Sequence, residues 1–156
     1  GGERYSYEWP FSGEKGELLE GGIRVPAIVR WPGVVPANRV SSQMAITMDW
    51  TATILAAGKA KADEGYPLDG IDLLPVITGA RPSHERTFFW RIYSQDAVRQ
   101  GKWKYYRNGE QRKLFDLSVD QHEQADFSRQ NPDLLKHLAA EFNNWNQQML
   151  PRIIRA

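Results

Sequence analysis

The apolar positions of this chain keep two different rhythms, one on either side of residue 86. Residues 1–22 show no period at all. Six glycines (Gly1, Gly2, Gly13, Gly16, Gly21, Gly22) and Pro10 punctuate them, so they read as one long loop, a length that is uncommon unless the loop is functional or disordered. "IRVPAIVRW" (23–31) is then β-branched and almost continuously apolar until Trp31-Pro32-Gly33 stops it. Such a run predicts a strand buried on both faces of a parallel or mixed sheet. "MDWTATILAAGK" (48–59) predicts a helix, with Asp49 as N-cap, Ile54 and Leu55 facing inward and Gly58 at the stop. Residues 59–86 return to loop character, with Pro67, Gly70, Pro75, Gly79 and Pro82, and with one short helical turn in "DGIDLLPVITG".

From residue 87 the rhythm is tighter. "TFFWRIY", "DAVRQ", "KWKYYR" and "KLFDL" are four short strands, and Gln100-Gly101 and Asn108-Gly109 separate the last three. Asn-Gly favours a two-residue hairpin because both turn residues tolerate positive φ, so the segment predicts an antiparallel meander. Asn131 then caps, Pro132 takes the first helical position and Asp133 suits the positive end of the dipole. Leu135, Leu138, Phe142, Trp145 and Met149 recur at spacings of three and four, one stripe on a helix over 132–149 that covers a face of the meander. The fold class expected is α/β, with a small antiparallel sheet packed on a long C-terminal helix over 87–156.

Composition narrows the classes more than it selects one. At 156 residues, with 41% hydrophobic and 25% charged residues, the chain is large enough for a core of its own. Its 20 basic and 19 acidic residues leave a net charge of +1, so no global field draws it to nucleic acid or anionic lipid. No cysteine is present, which removes disulfides, thiolate metal sites and cysteine nucleophiles. No apolar run approaches the roughly 18 residues of a membrane helix. The opening "GGERYSYEW" has no methionine and reads as the interior of a longer polypeptide.

Candidate chemistry concentrates in "PFSGEKGELLEGGIRVP" (10–26), where Lys15 stands among glycines ahead of an apolar run. A phosphate-binding P-loop needs G-x-x-x-x-G-K-[ST] between a strand and a helix, and the order here is Ser12-Gly13-Glu14-Lys15-Gly16-Glu17, without the magnesium-binding hydroxyl. The P-loop is rejected, but a glycine-flanked lysine still suits close approach to a tetrahedral oxyanion. On pattern alone the plainer reading is favoured, a solvated lysine paired with Glu14 or Glu17.

"GEKGELLEGGIRVPAIVRWPG", followed in order by "MDWTATILAAG", "LDGIDLLPVITG", "FFW", "AVRQGKWKYY" and "LFDLSVDQHEQADFS", resembles the C-terminal part of type I, formylglycine-dependent sulfatases of the arylsulfatase and N-acetylgalactosamine-6-sulfatase kind. Lys15 to Pro26, K-x-x-x-x-E-G-G-x-R-x-P, is its most specific segment. The resemblance implies an alkaline-phosphatase-like fold, with 1–86 as the C-terminal part of its large α/β domain and 87–156 as a small subdomain, a sulfuric ester hydrolase activity and a sulfate-contacting role for Lys15. It also implies calcium and a formylglycine made from a Cys or Ser followed by x-Pro-x-Arg. The chain has no cysteine and no serine in that setting, and the implied calcium ligands and histidines would lie upstream. This polypeptide alone is therefore expected to be inactive and to need the N-terminal half as partner. The expected substrate is a sulfated small molecule or glycan, in a periplasmic, extracellular or lysosomal compartment. Apolar surface left uncovered by a missing half is expected to drive self-association. A non-catalytic module for sulfated glycans or other polyanions is the alternative.

Several other residues could carry chemistry. Glu3, Arg4 and Trp9 suit substrate contact, since Arg forks match sulfate and Trp stacks on sugar faces, and suit loop packing equally. Glu20 and Arg24 read as a structural ion pair pinning the Gly21-Gly22 turn. His84, His122 and His137 lack zinc spacing and read as surface residues. "DLSVDQHEQAD" lacks the alternation and glycine of a calcium loop and reads as a polar turn. "KWKYYRNGEQRK" (102–113) reads as a strand with one buried aromatic side and one solvated basic side rather than a nucleic-acid surface.

Overall fold

The computed structural model describes residues 8–152. Its elements are α1 (Glu20–Ile23), α2 (Thr47–Ala57), α3 (Leu74–Ile77), β1 (Thr87–Ile92), β2 (Gln95–Gln100), β3 (Trp103–Asn108), β4 (Gln111–Asp116) and α4 (Pro132–Asn146). They form two compact units: residues 8–26 with 86–152, and residues 27–85.

The first unit is built on a four-stranded antiparallel meander, β1-β2-β3-β4. Each hairpin turn places a residue at positive φ: Tyr93, Gly101 and Gly109. Alternation then sorts the side chains. One face carries the row Phe89–Val98–Tyr105–Leu114, and Leu138 and Phe142 of α4 pack on it with Trp145 alongside. The α/β class, with a small sheet against a C-terminal helix, is as expected. The helix itself ends at Asn146 rather than 149. Asn131 precedes it without a side-chain cap; its Nδ2 donates instead to the Phe127 carbonyl at 3.4 Å.

The opposite face departs from expectation. A strand with a solvated basic side was expected there, yet Lys104 is 0% exposed. The reason is that this face is covered too. Leu18, Leu19 and Ile23 pack with Ala97, Tyr106, Phe115 and Leu117 into a second core. Residues 8–24 supply that cover, and Leu18 N–H donates to Gln95 Oε1 at 3.0 Å, an oxygen that also accepts from the Tyr106 hydroxyl at 3.0 Å. On the helix side near the sheet's edge, Asp96 is fully buried, gripped by Arg107 and by Arg152 from beyond α4.

In the second unit α2 forms close to the expected place, with Gly58 at its C-cap. Asp49 is its third residue rather than its N-cap, and its carboxylate reaches back to Ile46 N–H at 2.8 Å and across to Ile71 N–H at 2.9 Å. Thr53 Oγ1 accepts from Leu73 N–H at 2.9 Å, so the buried face of α2 is partly polar, with Asp49, Ala52 and Thr53 inside. Ile54, expected inward, is 68% exposed. α3 supplies the short turn. The strand expected at 23–31 does not form: residues 24–30 are irregular, and Val25 and Ile28 are exposed. A strand exists only by pairing, and no described segment pairs with this one.

Candidate functional site

Lys15 lies in the turn between Glu14 and Glu17, exposed to solvent. Glycine gives this turn its shape at two positions, Gly13 at φ +82° and Gly16 at φ +100°. Two further glycines let it close on itself. A Cβ on Gly21 would stand 2.3 Å from the Gly13 carbonyl oxygen, and one on Gly22 would stand 2.1 Å from that of Glu17 and 2.5 Å from that of Glu14. Gly21 N–H donates to the Ser12 carbonyl at 2.7 Å, and Glu17 folds back so that Oε2 accepts from Glu14 N–H at 3.2 Å. Among the described residues the Glu17 carboxylate turns to the Glu14 amide and forms no ion pair with Lys15. The turn presents an exposed ammonium on a closely packed backbone.

The segment C-terminal to the turn anchors it. Glu20, the first residue of α1, is 1% exposed. Its Oε1 lies 3.0 Å from Lys104 Nζ and its Oε2 lies 2.9 Å from Arg99 Nη1. The expected partner Arg24 is present but more distant, at 3.6 Å. Arg99 and Lys104 are direct cross-strand neighbours, a like-charge pair that would repel without the carboxylate between them. Glu123 completes the cluster, with Oε1 2.7 Å from Lys104 Nζ and Oε2 accepting from Glu20 N–H at 2.5 Å. Burial pushes the Glu123 carboxyl above its usual range, opposed in part by Lys104 and by the Glu20 amide. The segment expected to be a plain polar turn thus carries a buried charge. Asp120 builds it by accepting from His122, Gln124 and Ala125 N–H at 3.1, 2.8 and 2.7 Å.

The remaining predicted site residues are not brought together. Trp9 is described and exposed, whereas Glu3 and Arg4 lie outside the described residues. His84, His122 and His137 are at the surface, as expected. Sequence reasoning missed Lys104, Arg99 and Glu123, because alternation assigns a face but does not say whether anything covers it. Among the described residues no group of three or more His, Asp or Glu is placed to hold a metal, and the chain has no cysteine. These residues do not fit a calcium centre or a formylglycine.

The meander packed on its C-terminal helix is shared with solved structures. A crystal structure of Ps i-CgsB superposes with a TM-score of 0.77 at 31% identity, covering 88% of this chain and 32% of that one. The same protein in complex with k-i-k-neocarrahexaose matches equally well. Residues 8–148 match the family described as N-sulphoglucosamine sulphohydrolase, C-terminal, and the chain belongs to that family. Among curated proteins it is similar to dog N-acetylgalactosamine-6-sulfatase, 38% identical over 95 residues, 61% of this chain and 18% of that protein. It is similar also to an uncharacterised sulfatase of Schizosaccharomyces pombe, 33% identical over 139 residues, 80% of this chain and 25% of that protein. Bovine arylsulfatase A is 38% identical over 96 residues, 58% of this chain and 18% of that protein. The chain thus spans a third or less of each relative. No helix among the described residues is long and apolar enough to cross a membrane.

Proposed function

We propose that this chain is the C-terminal portion of a sulfuric ester hydrolase, in which Lys15 contacts the sulfate group of the substrate. The observation that carries the reading is the exposed ammonium on a turn whose backbone four glycines hold in place. A fixed cation lowers the barrier when charge develops on the expelled ester oxygen, and a preorganised one does so without reorganising at the moment of reaction. Trp9, Glu3 and Arg4 are proposed to line the substrate pocket. The nucleophile, the calcium ligands and the proton donor are proposed to come from an N-terminal half, the partner this chain needs to turn over a sulfated small molecule or glycan. Residues 1–86 would then complete a larger α/β domain, with 87–156 as a subdomain beside it. The exposed apolar run around Val25 and Ile28 supports this, since it has the composition of a central strand. A periplasmic, extracellular or lysosomal setting fits such a substrate.

The test is hydrolysis of an aryl sulfate by a polypeptide that joins this chain to its N-terminal half. Lys15→Ala is expected to lower turnover by about 10²–10³-fold. Unchanged turnover would overturn the role of Lys15, and a joined polypeptide without turnover would favour the other reading, a binding module for sulfated glycans. That reading draws on Arg91, Arg107 and Arg112, in one cross-strand row with the buried Asp96, and on Arg152, which pairs with that carboxylate.

A further inference from the structure

The turn at 116–126 meets the lysine-bearing segment at three points. Ser12 Oγ donates to the His122 carbonyl. Arg24 Nη1 donates to Gln121 Oε1 at 3.4 Å. Glu20 N–H donates to Glu123 Oε2. These contacts bracket Lys15, from three residues before it to nine after it. Glu123 itself is held at φ +57°, a left-handed conformation unusual for glutamate, and its carboxylate is buried against Lys104.

We infer that Glu123, with Lys104, is a positioning pair for Lys15, seating the sulfate-contacting turn on the sheet; this rests on the role proposed for Lys15. The physical path is continuous. Lys104 and Arg99 fix the two carboxylate oxygens of Glu20, which leaves one placement for its backbone. Glu123 fixes the Glu20 amide. Gly21 and Gly22 then lie against the carbonyls of residues 13, 14 and 17, so the position of Glu20 becomes the position of the turn. An apolar patch would bind the same segment without choosing among nearby placements. Two buried glutamates and one buried lysine accept only the arrangement in which every charge is met.

Amide exchange on the chain tests the seating independently of any chemistry. Glu123→Ala is expected to speed exchange at Leu18, Glu20 and Gly21 about tenfold or more while the β2–β4 amides keep their protection. Glu123→Gln, which retains an acceptor for Glu20 N–H but takes the charge from beside Lys104, is expected to recover only part of it. Ser12→Ala leaves the buried charges intact, so it reports even if the Ala variant does not fold, and should speed exchange at Gly21 and Glu17. Uniform acceleration over the sheet, or none in the 12–24 segment, overturns the proposal.

Turnover in the joined polypeptide separates this inference from the lysine role beneath it. Glu123→Ala should lower kcat by up to about 10²-fold with a smaller effect on KM, and should add nothing once Lys15 is alanine. Equal losses in the Lys15 and Lys15→Ala backgrounds overturn the positioning role. A harmless Lys15→Ala overturns the lysine reading instead, and exchange still decides whether the turn is seated.

Discussion

At the scale of single residues, charge is placed by geometry that composition conceals. A net charge of +1 says nothing of a lysine that is wholly buried. Asp116 gives the clearest acid signature. A hydrogen bond from Lys102 Nζ at 2.7 Å, with further bonds from Ser118, holds its carboxyl below the usual range. A depressed folded pKa contributes stability above the unfolded value, and that contribution disappears as pH falls through the folded one. Glu123 runs the other way. Its raised pKa gives a contribution present below the ordinary glutamate value and lost as pH rises through the folded value. Asp116→Asn should therefore be less stable than the parent at neutral pH, and the gap should close below about pH 4. Urea unfolding at a series of pH values measures this; a gap independent of pH would show that Asp116 is not the group responsible.

Elements were legible in the sequence where their cause is local. The meander could be read because its strands alternate and Gly101 and Gly109 mark the last two hairpin turns, and α4 because Leu138 and Phe142 recur on one stripe. What is not local could not be read. The 23–31 run has the composition of a strand, but composition carries no partner. Alternation gives Lys104 the correct face and the wrong environment, since its cover lies some eighty residues earlier. The glycine-shaped turn around Lys15 was legible, and its anchor was not. Leu138 and Ile54 make the same contrast measurable. Leu138→Ala, in the core between α4 and the sheet, should cost about 2–5 kcal/mol. Ile54→Ala, on the exposed side of α2, should fall within about 0.5 kcal/mol. Similar losses for the two would mean that the helix faces are assigned wrongly.

At the scale of the whole molecule, order is uneven between the two units. In the first unit the sheet is covered on both faces, whereas in the second Ile28 (93% exposed) and Val40 (96%) leave apolar side chains in water. Apolar exposure marks an interface where it gathers into one patch. The chain by itself is expected to bind a hydrophobic dye and to self-associate in sedimentation, and a dye-silent monomer would argue against an uncovered interface.

The ionic anchor of the lysine turn also sets a timetable. Glu20 meets Lys104 and Glu123 across 84 and 103 positions of chain, whereas each strand of the meander meets its neighbour across a tight hairpin. Short loops close sooner than long ones. On a ribosome the lysine segment emerges early and must wait, unanchored, until residues about a hundred places later have been made and the hairpins have closed. Pulse-labelled refolding should record the 12–24 amides as the last to gain protection; early protection there would reverse the order.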